Sequence, residues 1–179
     1  MKVVITLAIL SISLVGFGQK KAKIDLTNAL VVGQMDKPQE RYALEGHLAQ
    51  LLTQYNVKAA PSLNYVKVGG DSGVLLEDSI TSLLKAQGFD TYLIVSVRGY
   101  DRRFKPSTRK DSLAEKLSQG SLYEIYRQDA VSVTFEFTFY RNGEYVATDV
   151  VKLGNISDRE SVLKRFNKKV GKRIYKRWK

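Results

Sequence analysis

Hydrophobic positions change rhythm several times along the chain. A short apolar run from Ala29 to Met35 reads as a first strand and stops near Asp36 and Pro38. Proline at that point suits the first turn of a helix. Leu44, Leu48, Leu51, Leu52 and Tyr55 then fall on one helical face. A second strand is expected within Ser62–Val68, followed by a turn through Gly69, Gly70, Asp71, Ser72 and Gly73. Leu76, Ile80, Leu83 and Leu84 recur at helical spacing, and Gly88 stands where a left-handed C-cap belongs. Tyr92–Val97 is a continuous β-rich run, the pattern of a strand covered on both faces.

The second half alternates instead. Val131, Val133, Phe135, Phe137 and Phe139 interleave with Ser132, Thr134, Glu136, Thr138 and Tyr140, which predicts a half-buried strand. Asn142-Gly143 is a favoured two-residue hairpin turn, because both central residues need positive φ. The expected register sets Arg141 opposite Glu144, Tyr140 opposite Tyr145, Phe139 opposite Val146 and Phe135 opposite Val150. Ser157 with Glu160 forms a candidate capping box for a last helix. Its apolar stripe is Leu163, Phe166, Val170, Ile174 and Trp178, with the final lysines past Tyr175 expected to fray. Residues 105–129 are an excursion that holds two candidate helices, Asp111–Leu117 and Leu122–Gln128.

These elements predict an α/β fold with α+β character at its C-terminal end. It has a mixed sheet of about five strands, in the order β-α-β-α-β, excursion, β-β-α, with helices packed on the sheet. Length agrees with one domain, since 179 residues build a single core without disulfides. Its expected limits are 29–179, ending in an amphipathic helix at about 158–178, after a lead at 19–28.

The first eighteen residues read as an address. Met1 and Lys2 precede the apolar run Val3–Val15, and Gly16 and Gly18 fill the small-residue positions of a signal-peptide cleavage site before Gln19. The run is too short for a spanning helix, which needs about 20 apolar residues. The expected location is therefore periplasmic or secreted. With no cysteine in the sequence, a lipid-anchored lipoprotein is not expected.

Charge sharpens the picture because it is unevenly placed. The formal net charge is +11, yet residues 163–179 hold nine Lys or Arg and no acid. Without Lys2, the rest of the mature chain carries 19 basic residues against 18 acidic ones. The tail residues Lys164, Arg165, Lys168, Lys169, Lys172, Arg173, Lys176 and Arg177 thus flank a narrow apolar stripe, as in a basic amphipathic helix. Three arrangements are open. The stripe packs on the sheet with solvated lysines; it packs while its outer face binds anionic headgroups or lipopolysaccharide phosphates; or the helix lies in a membrane interface with Trp178 at the boundary. Gly171 weakens an isolated helix by about 1 kcal/mol, which favours docking. Export argues against nucleic acid as the partner.

A smaller basic cluster comprises Arg98, Arg102, Arg103, Lys105, Arg109 and Lys110. It follows the third strand at its carboxyl end, where open α/β sheets hold ligands. Arg102 and Arg103 are placed to grip carboxylate or phosphate in bidentate fashion, or else form a solvated strand extension. No catalytic constellation emerges, and neither a metal nor a cofactor is expected. The lone His47 reads as a core-margin histidine on a helix face. Gly69–Gly73 lacks the lysine and spacing of a phosphate-binding loop. Glu77 and Asp78 are adjacent at a helix start and point apart.

Ala29–Tyr100 also resembles a known family. It has a strand, a helix holding Glu40, Arg41 and Leu44, a strand entered at Pro61-Ser62, a helix, then Gly88-Phe89-Asp90 before Tyr92-Leu93-Ile94-Val95. That rhythm resembles small envelope domains of the TolB amino-terminal and CsgG-like type. The resemblance implies a non-catalytic α/β module that docks on other envelope components, and it carries over no binding residue. The leading expectation is a non-enzymatic envelope protein that binds or supports a protein assembly in the periplasm. A peripheral binder of anionic lipid or lipopolysaccharide is the alternative. A weaker third is a small-molecule site at the arginine cluster, which predicts a concave pocket at the end of the third strand.

Overall fold

The computed structural model describes residues 23–67, 69–101, 109–120 and 123–179. Five strands form one sheet: β1 (Asn28–Gln34), β2 (Lys58–Pro61), β3 (Thr91–Tyr100), β4 (Ser132–Arg141) and β5 (Glu144–Gly154), in the order β2-β1-β3-β4-β5. β2, β1 and β3 are parallel, while β4 and β5 run antiparallel as a hairpin on the β3 side. The mixed α/β sheet expected from the sequence is present. Helices α1 (Pro38–Gln54), α2 (Asp78–Ala86), α3 (Leu113–Ser118) and α4 (Arg159–Arg173) pack on it.

Two cores divide the faces. The larger joins α1 and α4 to Val31, Leu93, Val95, Val133, Phe135, Phe137 and Phe139. The smaller gathers Leu30, Val32, Tyr92, Ile94 and Tyr140 under Leu75, Leu84, Leu113 and Leu117. Ile24 and Leu26 are buried in the larger core, and their amides donate to the carbonyls of Arg177 and Trp178. The chain before β1 is therefore laced to the end of the molecule.

Pro38 begins α1 as expected, and Gly88 ends α2 at φ +74. Several local expectations give way to tertiary pairing. The second strand is Lys58–Pro61 and residues 62–67 of the expected Ser62–Val68 form none, Val68 lying outside the described residues: Ser62–Asn64 coils into a 3-10 turn, where the Ser62 hydroxyl bonds the Glu45 carboxylate at 2.8 Å. On α2 Leu84 is buried and Leu83 exposed, and in the 3-10 turn before it Leu75 is buried and Leu76 exposed. Residues 123–128 are not helical. The Glu124 carbonyl accepts from the Tyr100 hydroxyl, and the Ile125 amide donates to Glu40, both at 2.7 Å. Those groups would otherwise have bonded within a helix.

β4 is buried on both faces rather than half-buried, since α3 covers its polar side. The hairpin turns at Asn142 and Gly143, both at positive φ, and pairs Arg141 with Glu144 and Tyr140 with Tyr145. A bulge then leaves Val146 as the extra residue, so Phe139 opposes Ala147 and Phe135 opposes Val151. Because side chains alternate along a strand, one inserted residue exchanges the faces of everything beyond it. Asp149 thereby comes to the helix side, opposite Phe137.

Candidate interaction surface on α4 and cleft beside β3

α4 starts at Asp158, not Ser157. The Asp158 carboxylate accepts from the Ser161 amide at 2.6 Å, and the Ser161 hydroxyl accepts from the Asp158 amide at 3.1 Å. Ser and Asp are comparable caps, so the local sequence left two adjacent choices. The bonds from the Ser161 amide and the Ser157 hydroxyl hold the Asp158 carboxyl below its ordinary pKa.

Beyond the cap, the helix is organised in rows four residues apart. Val162, Phe166, Val170, Ile174 and Trp178 are buried against the sheet, with Val162 in the place expected of Leu163. An ideal α-helix turns 100° per residue, so steps of four drift around its axis. The final turn, Ile174–Trp178, is instead a π-turn, closed by a bond from the Lys179 amide to the Ile174 carbonyl. That wider turn keeps Trp178 on the buried row, with its ring centroid 4.9 Å from that of Phe137. The C-terminus is thus pinned rather than frayed, and Trp178 is unavailable as an interfacial anchor.

The second row, Arg165, Lys169, Arg173 and Arg177, turns toward β5. Arg165 donates to the Asn155 carbonyl at 3.1 Å and Lys169 to that of Lys152 at 2.8 Å. Asp149, 1% exposed, accepts from Arg177 at 2.7 Å and Trp178 Nε1 at 3.0 Å, with Arg173 at 3.7 Å. The third row meets α1: His47 Nε2 lies 2.6 Å from Asn167 Oδ1, and Gly171 sits under Tyr55. His47 thus occupies the core margin expected for it.

The fourth row is Lys164, Lys168, Lys172 and Lys176. All four are exposed, and none has a partner among the described residues. At 1.5 Å rise per residue the row extends about 18 Å. Neighbouring α1 presents Tyr42, Ala43, Gly46 and Gln50 to solvent, all uncharged. Tyr175, 71% exposed, stands beside the end of the row.

Acidic groups in the interior are used internally. Glu45 accepts from the Gly33 amide at 2.7 Å, Arg41 at 2.9 Å and Ser62, clamping α1 to β1. On the opposite face Glu136 accepts from Lys116 of α3 at 2.8 Å and lies 3.2 Å from Arg98 Nε. The Tyr140 hydroxyl donates to the Asp111 carbonyl at 2.8 Å, and burial beside the Asp111 charge pushes its pKa up to about 12.

Arg98 is the extra residue of a bulge in β3, since Val97 opposes Phe135 and Gly99 opposes Thr134. Gly99 follows at φ +143, a conformation that side chains rarely adopt. Last in register, Gln34 of β1 faces Ser96, so β3 continues past the end of β1. Beside this overhang is a cleft of about 390 Å³ lined by Gln34, Ser96, Val97, Arg98, Gln119, Gly120 and Tyr123. The concave pocket expected at the end of the third strand is there.

Among the residues singled out from the sequence, Arg98 is in that cleft, while Arg102, Arg103 and Lys105 lie outside the described residues. So does the segment 1–18. Of the eight tail residues singled out, Lys164, Lys168, Lys172 and Lys176 are exposed, Lys169, Arg173 and Arg177 bond β5, and Arg165 bonds Asn155 just past it. Gln34, Ser96, Lys116 and Glu136 have no distinguishing signal in the sequence: Gln34 and Ser96 sit inside apolar strand runs, Lys116 lies in a short helix, and Glu136 alternates as a solvent-facing strand residue would. No helix among the described residues is long and apolar enough to cross a membrane.

No protein-family model and no curated protein matches the sequence. Solved structures of similar architecture include the PelC dodecamer from Paraburkholderia phytofirmans, 12% identical, with 86% of this chain and 89% of that chain covered at a TM-score of 0.43. Lipoprotein GNA1162 from Neisseria meningitidis is 13% identical, covering 84% of this chain and 97% of that one at a TM-score of 0.44.

Proposed function

We propose that the protein is an exported, non-enzymatic interaction module of the bacterial cell envelope, which docks on a protein assembly through the lysine row of α4. The observation that carries this reading is the division of labour within one helix. Its apolar row packs on the sheet and its arginine-rich row bonds β5 and Asn155, so the four lysines project from a supported helix with no partner among the described residues. The backbone beneath the charge is already ordered, so binding costs the side-chain freedom of the lysines but not the folding of a segment. Opposite charge on an assembly would steer encounter and fix orientation. The signal-peptide pattern of residues 1–18 and the resemblance of Ala29–Tyr100 to TolB amino-terminal and CsgG-like modules support an envelope setting.

A second reading has its own support. Tyr175 is exposed at the end of the lysine row, and an amphipathic ring beside lysines suits a boundary with anionic headgroups. One experiment separates the two. Envelopes are crosslinked at low and high salt and the tagged protein is recovered, beside a variant with Lys164, Lys168, Lys172 and Lys176 all changed to Gln. A discrete protein partner held by the parent and lost by the variant supports docking on an assembly. Recovery of anionic lipid or lipopolysaccharide alone, released by salt, establishes the second reading. Equal capture by parent and variant removes the lysine row from either.

A further inference from the structure

We infer that the cleft beside β3 is a binding site for a small hydroxylated carboxylate, separate from the lysine row. Its position is the first argument. The crossover from β1 leads to β2 on one side of it, and the next, from β2, returns across β1 to β3 on the other, so the carboxyl ends of β1 and β3 flank a topological switch point. Open α/β sheets bind ligands in such crevices. Here β1 stops at Gln34 while β3 runs on to Tyr100, which opens the space.

Polar groups converge on that space without being used up by the fold. Ser96 is 6% exposed, yet its hydroxyl has no hydrogen-bond partner among the described residues. Gln34 is equally buried; its amide nitrogen donates to the carbonyls of Lys116 and Gln119, which leaves its Oε1 as a free acceptor. Both oxygens are reached by solvent, since neither is among the buried unpartnered atoms of the described residues, so water meets them in the free protein and a ligand hydroxyl can replace it. Arg98 completes the set. Its Nε faces Glu136, and no other described residue engages the guanidinium.

The bulge gives this arrangement its sense. Insertion of Arg98 between Val97 and Gly99 re-aims one side chain at the price of a ladder interruption, and bulges of this kind concentrate beside functional sites. The guanidinium geometry selects the ligand. Arg98 and Lys116 share the single carboxylate of Glu136 and carry one positive charge between them, and the Asp36 carboxylate lies beside Gly120 of the cleft wall. The outer edge of a guanidinium fits a carboxylate in bidentate fashion. Ser96 and Gln34 Oε1 then suit hydroxyl groups on the same molecule, and the half-exposed ring of Tyr123 lies at the rim to cover a small apolar or ring face. A volume of about 390 Å³ lies at the small end of ligand pockets and holds one monosaccharide-sized acid.

Titration calorimetry on the purified protein tests this with sodium glucuronate, sodium gluconate and sodium lactate, with glucose and inorganic phosphate as comparison arms. The site predicts saturable binding of at least one hydroxy acid at one site per chain. It predicts glucose and phosphate weaker by about tenfold or more, the loss of one charge-assisted pair or of its geometry. Arg98→Gln lowers affinity for the acid by about tenfold or more, and Ser96→Ala by a smaller factor. Arg98→Gln leaves Glu136 paired with Lys116, so the variant is expected to fold, which thermal unfolding checks. The Lys164, Lys168, Lys172 and Lys176 variant binds the acid as the parent does, whatever becomes of the envelope contact. The inference is overturned if no hydroxy acid binds up to about 10 mM, beyond the weakest useful affinities. It is overturned equally if phosphate or glucose binds as well, or if Arg98→Gln binds like the parent.

Discussion

At the residue scale, close approaches decide what the sequence leaves open. Gly171 weakens an isolated helix, and an alanine there would ordinarily add about 1 kcal/mol of helix stability. In the folded protein a Cβ at this position would lie 2.6 Å from the Tyr55 hydroxyl oxygen and 3.2 Å from its ring carbons. Overpacking of this kind costs about 1–3 kcal/mol. Gly171→Ala is therefore expected to lower stability on balance, and Gly171→Ala combined with Tyr55→Phe to recover part of the loss. Urea unfolding of the three proteins checks it. Asp149 shows the same dependence on context. In the sequence it is one acid among 18, and only its place beneath Arg177 and Trp178 makes it the anchor of the C-terminus.

Elements follow their local rules until a partner intervenes. The last helix was legible as amphipathic and basic, but its cap shifted from Ser157 to Asp158 and its buried row from Leu163 to Val162. The capping box makes a pH prediction with a definite sign. The folded Asp158 has a pKa below its ordinary 3.8, so its contribution is present above the unfolded value. It is lost as pH falls through the folded value, because protonation then removes the acceptor. The difference in melting temperature between the parent and Asp158→Ala should thus be constant near neutrality and shrink as the pH falls below about 4. A difference that stays flat into strong acid would mean that the carboxylate charge has no part in the cap. The hairpin was readable at its turn and not beyond, since the bulge at Val146 depends on which face of β5 the sheet needs inward.

For the whole molecule, the two ends of the described chain are one structural unit. Ile24 and Leu26 donate to the carbonyls of Arg177 and Trp178, and the indole of Trp178 packs on Phe137 and Phe139. Trp178→Ala is expected to cost about 3–5 kcal/mol, the range for a fully buried aromatic. It should also raise amide exchange in β5 and in the segment around Ile24. Hydrogen exchange that changes only within α4 would show the termini to be energetically separate. Because the helix is locked at both its apolar and its arginine-rich rows, the lysine row is a fixed feature of the surface.

By itself the sequence determined the periodicities, the Asn142-Gly143 turn, the Gly88 helix end, the α/β class and the concentration of charge in the last seventeen residues. These depend on backbone preferences and side-chain spacing within a few positions of each residue. Tertiary structure decided which lysines and arginines stay free and that polar residues of β4 are covered by α3. It also decided that Arg98 is turned into a cleft beside Ser96 and Gln34. Those outcomes rest on two bulges and on the order of the strands, where a shift of one residue exchanges the faces of a whole strand. Such a shift is set by pairing between segments far apart in the chain, and no local pattern records it.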